Sequence, residues 1–476
     1  VVNVLAIDQG TSSTKALVVA DGGAVLGDCG VPVHPLSSPG GAVEQDAQEL
    51  LDSVLMAGRG ALEAAGAEVH AIGLANQGET VLRWDPASGR PLGPALSWQD
   101  RRAVVVTREL ADLGERLTEL TGLPLDPYFA APKMSWLRRN EGPEGVVTTV
   151  DAWLNQRLTG AFVTDAATAS RTLLLDLAST SWSAEACAAF GLDPQRQPRI
   201  VDCAERVGET SAFGPTLALT GLAVDQQAAL LAQSCFSAGE AKCTYGTGAF
   251  ILANAGQRPP RSRSGLAACV AWRLQGETTY CLDGQVHSAG SAAAWLTRVG
   301  LIGDVAELDR AEGEDRGVVF VPGLAGLGAP FWAPAARGAW LGLSLATGRG
   351  DLVLALVWGI AAQVTCLAAA IAQDTGVPLR RLRVDGGLTR SARLMQAQAD
   401  LLQVPVECYP SPDATARGVA ALARLGAGGA STAEEAVAGW SPDAVYEPRM
   451  PAQEAHERLE RWRAAADAVA RVGAEG

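Results

Sequence analysis

The sequence predicts an α/β protein of two domains, each starting on the same local plan, with a cleft between them. Three observations carry this. The chain opens on a short apolar strand at residues 4–8, a polar turn at 9–14 and a second strand at 16–19, which is the pattern of a β-hairpin. Strand, turn and strand return in mid-chain, in the run KCTYGTGAFILAN within residues 240–254. After each hairpin, apolar segments of helical period alternate with short apolar strands, which sets helices on the faces of a sheet.

The elements follow in order. Asp46 and Glu49 stand at capping-box spacing ahead of Leu50, Val54, Leu55 and Leu62, so a helix begins there. A buried strand is expected at 71–75, and DPASGRP at 85–91 is a turn cluster. In the second half, helices are expected at 288–299 and 352–374. The strand 382–385 then ends in Gly386-Gly387, and a helix at 391–402 precedes a short strand at 404–407. The boundary falls near residues 234–240, giving domains of 1–236 and 237–476. Residues 452–472 read as an Arg-rich amphipathic helix, a solvated cover on the surface. The glycine-rich GLAGLG at 323–328 reads as a mobile or closely approached loop.

A chain of 476 residues that is 48% hydrophobic has enough apolar material for two cores. No run of eighteen or more apolar residues without a charge is read, so no membrane span is expected. The opening VVNVLAIDQG reads as a strand entering a turn rather than a basic, cleavable leader. Nine cysteines without a CxxC pair point to reduced, buried thiols instead of disulfides or a zinc site, and a cytoplasmic location is expected. A net charge of −14 disfavours nucleic-acid and anionic-membrane surfaces. A phosphate ligand would have to be held locally, by backbone N–H groups, a metal or a placed cation. Lysine occurs only at Lys15, Lys133 and Lys242, and two of these flank the hairpin turns.

Five motifs could carry chemistry. Asp8-Gln9-Gly10-Thr11-Ser12-Ser13-Thr14-Lys15 ends a buried strand in a small-residue turn. Gly10 admits close backbone approach, and successive N–H groups and hydroxyls at Thr11, Ser12 and Ser13 can cradle phosphate oxygens. Asp8 could hold Mg²⁺, since hard cations take oxygen ligands. Thr244-Tyr245-Gly246-Thr247-Gly248 is the matching turn of the second half, so two phosphate loops would face each other across the cleft. Asp225-Gln226-Gln227 places a carboxylate at the domain junction, either as the acceptor of a hydroxyl proton or as a helix N-cap. Asn76 to Thr80, Trp98 to Arg102 and Asp126 to Phe129 interleave polar and aromatic groups. That mix, with Glu79 for hydroxyls and Trp98 for the C–H side, suits a small polyol, although Trp and Tyr are also ordinary core residues. Asp385-Gly386-Gly387 ends a strand where α/β sheets place ligands, and the glycines would let a nucleotide lie on the backbone.

Together these motifs resemble the FGGY carbohydrate kinases. IDQGTSSTK, NQGET, WQDRR, DPYF, VDAWL, ASRTLL, DQQAAL, TYGTGAF, GLGAPFW, ARGAWLGL and VDGG run in family order from Asp8 to about Gly418, most like the members that act on glycerol. The resemblance implies two actin/Hsp70-like (ribonuclease H-like) domains with ATP and Mg²⁺ in the cleft. It implies Asp225 as the catalytic base, with Asp8 as the metal-associated carboxylate and Asp225 beside the same metal. Ser12 and Lys15 match phosphate-loop positions. Thr247, Gly290 and Gly387 match ATP-contact positions. Glu79, Trp98, Tyr128, Asp225, Gln226 and Phe250 match the set that binds the acceptor. A homodimer or homotetramer is kept open as the assembly.

Three positions depart from the family. The acceptor-binding arginine of the Asn-Gln-Arg-Glu-Thr motif is Gly78, which removes a charge-assisted donor worth about 1.5–3 kcal/mol per bond and opens space for a longer polyol or a ketose. A glutamine near the adenine is Ala294, and an asparagine there is Ser391. The loop that binds fructose bisphosphate in some bacterial members has no match at 211–219, so that control is expected to be missing. Glycerol leads as acceptor, with tetritols, pentitols and ketopentoses as alternatives. A catalytically silent binder on the same fold, or an actin-like or Hsp70-like module, remains a further reading.

Overall fold

The apolar run at the start of the chain forms the strand Val4–Gln9, antiparallel to Ser13–Val19, with Asp8 facing Lys15 across the ladder. The computed structural model describes residues 2–475. Val25–Pro32 extends this ladder on one side, and Ala71–Asn76 and Leu217–Val224 join it in parallel on the other. The second half repeats the order. Ala241–Tyr245 pairs antiparallel with Ala249–Gly256 and parallel with Leu382–Asp385, which pairs in turn with Val406–Cys408. Apart from the antiparallel edge strands Gly208–Thr210 and Ala444–Tyr446, both sheets run third, second, first, fourth, fifth strand. The halves differ at the third strand, where the second half inserts a hairpin, Ala267–Leu274 and Glu277–Val286. Each hairpin turn sits at the carboxyl end of its sheet's central strand, the place where such sheets bind ligands.

The outer face of the first sheet is covered by the helix Ala47–Ala65 through Leu50, Leu51, Val54, Ala57 and Ala61. Asp46 caps it, accepting from the backbone N–H of Gln48 at 2.7 Å and of Glu49 at 3.4 Å. The reciprocal half of the expected capping box is not made. The Glu49 carboxylate turns to His34 Nδ1 at 2.6 Å, a partner that competes with the backbone. A small five-stranded sheet follows, from Leu36–Ser38 to Val146–Thr149, and was not read from the sequence because its strands are only two to four residues long.

The inner face is built by two helices that exchange sides. Asp225–Ala232 follows the fifth strand of the first half, and Ala414–Gly426 follows that of the second. They cross at Gly418, where an added Cβ would lie 1.8 Å from the carbonyl oxygen of Ala228. Ala414–Gly426 also lies on the first sheet. A Cβ on Gly73 or Gly221 would come within 2.4 Å of backbone atoms of Val419 and Ala423, respectively. Chain order near residue 236 thus separates the two sheets but not this helix.

The second core centres on the helix Arg349–Thr375, which overturns the expectation that the sequence has no long apolar run. Its stretch from Leu352 to Gln373 carries no charge. It is long and apolar enough to cross a membrane by composition, yet most of it is buried inside the protein. The C-terminal helix Ala452–Glu475 is more than a solvated cover. Leu459, Trp462, Ala465, Ala466 and Val469 are buried in the same core, and Trp462 Nε1 donates to the Phe320 carbonyl at 2.9 Å. All the cysteines are free, and all except the half-buried Cys29 are buried.

Candidate functional site

Three carboxylates gather at the floor of the cleft. Asp8 ends the central strand of the first sheet, Asp225 is the first residue of its crossover helix, and Asp413 precedes the crossover helix of the second half. Burial, then the neighbouring Asp225 and Asp413, push the Asp8 carboxyl up to about 7 against the opposing pull of Lys15. Lys15 itself is paired with Asp413. Burial also raises the pKa of Asp225, opposed by the Gln226 backbone N–H and by Lys242 and Arg171. Asp225 Oδ1 accepts that N–H at 2.6 Å.

The second sheet supplies one wall. Side chains alternate along a strand, so Lys242 and Thr244 share a face with Phe250, which pairs with Thr244 on one side and Gln285 on the other. Lys242 is fully buried. Its ammonium donates to Gln226 Oε1 and, at 2.9 Å, to Thr244 Oγ1. Asp385 sits opposite Thr244 in the parallel ladder. One of its oxygens accepts from Gln233 Nε2 at 2.9 Å, and the other has no protein partner.

The first half supplies the facing wall. Glu79 is buried and held at φ 57°, an uncommon conformation for a side-chain-bearing residue and one that clusters at functional sites. Burial raises its pKa while Arg171, paired with it, pulls the other way. The Tyr128 hydroxyl is 3.5 Å from Arg171 Nη2. The Trp98 and Tyr128 rings meet edge to face at 5.8 Å, and Trp98 Nε1 donates to Thr11 Oγ1 at 2.8 Å. That bond ties the aromatic wall to the first turn. Lys133 fixes the Tyr128 loop by donating to the carbonyls of Pro127, Tyr128 and Phe129; burial pulls its pKa down to about 7. A Cβ at Gly78 would stand 3.0 Å from Val224 Cγ2 and 3.8 Å from Arg171 Nε.

A separate cavity of about 690 Å³ opens on the second half, lined by Gly246, Thr247, Gly290, Ala294, Gly387 and Ser391 among others. Gly290 closes on the second turn, its N–H donating to the Gly246 carbonyl at 3.0 Å, and a Cβ there would lie 2.4 Å from that oxygen. Gly248 and Gly386 lie behind this lining, where a Cβ on either would collide with the backbone of Val286 or Tyr245. Ser391 Oγ is already engaged: it donates to Asp309 Oδ1 at 2.8 Å and caps the following helix. In the first turn the Gly10 N–H closes on the Ser13 carbonyl at 3.0 Å. The Ser12 and Ser13 side chains stay exposed.

A path of direct contacts and short-range charge effects runs from Thr11 through Trp98, Tyr128, Arg171 and Glu79 to Asp225, and on to Asp8. Phe250, Gly78 and Gln226 stand on the same cleft walls. Asp413, Arg171 and Asp283 had no role in the sequence reading. Of these, Arg171 alone lies within a quoted motif, whereas Lys15 and Lys242 are marked by their places beside the two turns.

The profile of the FGGY family of carbohydrate kinases, N-terminal domain, matches residues 3–232, and that of the C-terminal domain matches residues 241–427. A glycerol kinase of Bordetella parapertussis is 40% identical over 98% of this chain and 96% of its own length. One of Thermus brockianus is 41% identical over 97% of both. The crystal structure of Plasmodium falciparum glycerol kinase with ADP superposes with a TM-score of 0.93 at 29% identity, covering 98% of each chain. Matched along nearly its whole length, in sequence and in fold, the chain belongs to the FGGY family of carbohydrate kinases, enzymes that phosphorylate a hydroxyl group.

Proposed function

We propose that this kinase transfers the γ-phosphoryl group of ATP to a hydroxyl of glycerol, giving glycerol 3-phosphate. The observation that carries the reading is the place of Asp225. Its carboxylate lies among the Asp8 cluster, the Gln226–Lys242 pair and the Glu79–Tyr128 wall at once. The glycerol kinases among its relatives, similar over nearly the full chain, support the acceptor.

Phosphoryl transfer asks mainly for positioning and charge stabilisation. The acceptor would lie between Trp98 and Phe250, its hydroxyls on Glu79, Gln226 and Asp225. Asp225 takes the proton as the new O–P bond forms. The nucleotide would occupy the cavity at Thr247, Gly290 and Gly387, its phosphates reaching the turns at Gly10 to Ser13 and Gly246 to Gly248, with Lys15 near the first. Lys15 is paired with Asp413, and the repulsion that Asp8 meets from Asp225 and Asp413 is charge that a divalent cation offsets. Among the described residues no group of three or more His, Cys, Asp and Glu is arranged to hold a metal. Mg²⁺ keeps waters and takes one or two carboxylates plus substrate phosphates. Asp8 and Asp225 would hold it, and when bound it neutralises charge developing on the phosphoryl oxygens. Free, buried thiols fit a reducing compartment such as the cytoplasm.

A coupled ADP-release assay across C3 to C6 polyols and ketoses tests this. Glycerol should give the highest kcat/KM. Gly78 favours a second reading, a tetritol, pentitol or ketopentose as acceptor, and a higher kcat/KM on any of these would establish it. Release of no ADP with any acceptor would leave a silent binder.

A further inference from the structure

The guanidinium of Arg171 is a buried cation on the acceptor side that reaches both halves of the molecule. Its side chain is 3% exposed. It pairs with Glu79 of the first half, and its Nη1 lies 2.9 Å from Asp283 Oδ2 of the second. Burial alone would favour loss of its proton, yet Glu79 and Asp283 hold its pKa well above the ordinary range. Its stem passes 3.8 to 3.9 Å from where a Cβ on Gly78 would stand. The guanidinium centre lies 5.9 Å from the Tyr128 ring centroid.

One cation between two carboxylates leaves acceptor capacity unused. Arg171 binds one oxygen of Glu79. Asp283 is 3% exposed, and its Oδ1 has no protein partner. Asp283 lines a cavity of about 150 Å³ together with Tyr128 and Phe129. Buried carboxylate oxygens only accept, so the complementary ligand is one rich in donating hydroxyls.

We infer that Arg171 is a positioning residue of the acceptor pocket, holding Glu79, Asp283 and Tyr128 around a polyhydric alcohol. The inference rests on the reading of this wall as the acceptor site. Arg171 works through the groups it holds and does not itself take part in the transfer.

Steady-state kinetics of Arg171→Gln with glycerol and with erythritol, beside the wild type, test it. Loss of a charge-assisted anchor should raise the acceptor KM about ten- to a hundredfold, with a smaller change in kcat and an unaltered KM for ATP. In the variant the acceptor KM should also fall as pH rises from 6 to 9. Without Arg171, Glu79 would keep the pull of Lys133 against burial and the neighbouring Asp225, and would ionise late. The wild type should show a flatter profile. A Glu79→Gln, Arg171→Gln pair should be non-additive, the second change adding little. An acceptor KM within about twofold of wild type would overturn the inference. So would parallel shifts in the KM for ATP and the melting temperature, which mark a general structural role. Should Arg171→Gln not fold, Asp283→Asn keeps the arginine and releases one anchor. It should raise the acceptor KM severalfold alone, and an unchanged KM defeats the idea. A wild type without turnover on any polyol would sink the functional reading itself, whereas an active wild type with an unaffected variant sinks only the assignment of Arg171.

Discussion

Asp225→Asn separates proton acceptance from everything else this residue does. The amide keeps the size of the side chain, and its oxygen can still accept the Gln226 N–H that Oδ1 accepts now at 2.6 Å. What is lost is basicity, so kcat should fall about 10²- to 10⁴-fold, a barrier increase of about 3–5 kcal/mol. The same charge is the first neighbour that pushes Asp8 up, after burial. Its removal therefore relieves repulsion, and the melting temperature at pH 8 should hold or rise. The acceptor KM should move by no more than about threefold, because uniform binding is little changed. The assay is coupled ADP release at saturating ATP and glycerol, run beside a thermal melt on the same preparation. A kcat within about threefold of wild type would remove Asp225 from the role of base. A large loss accompanied by a lower melting temperature would point to damage instead of chemistry.

Asp8→Asn should raise the melting temperature of the nucleotide-free protein at pH 8 and leave it unchanged near pH 4. The folded carboxyl holds its proton to about 7, against 3.8 for an ordinary aspartate side chain. Its stabilising contribution is thus full below about pH 4 and lost as pH rises through 7. The same variant should weaken metal-dependent turnover far more than polyol binding; equal losses in both would contradict the assignment. Gly290→Ala would push a methyl to within 2.4 Å of the Gly246 carbonyl, forcing the two nucleotide-side segments apart. The KM for ATP should rise about tenfold or more while that for glycerol stays within about twofold, and matching shifts would place Gly290 outside the nucleotide site.

Local signals were legible and long-range ones were not. The strands at the head of each half, the turns they lead into and the strand Leu382–Asp385 were readable because apolar runs and small-residue turns are properties of adjacent residues. The helix expected at 391–402 forms at Ala392–Leu402, with Ser391 as its cap. Asp413 was hidden because nothing near SPDATARG says that the chain returns there to face Asp8, about four hundred residues away in sequence. Arg171 and Asp283 were hidden for the same reason: their meaning lies in each other and in Glu79. Lys133 reads as an ordinary basic residue, and only the fold shows three carbonyls converging on it. The insertion of a hairpin at the third strand of the second sheet also escaped notice, since its outer strand, Ala267–Leu274, differs little from an interior one in composition.

The traded helices have a practical corollary for anyone dissecting this molecule. A polypeptide ending near residue 236 would lack Ala414–Gly426, and the glycine-paved surface around Gly73 and Gly221 that this helix covers would be left bare to water. A polypeptide starting there would carry an apolar helix with nothing to lie on. Neither piece is a self-sufficient module, and recovering the native object from two separately made fragments would require them to clasp at Gly418 and Ala228, where even one additional methyl group leaves no room.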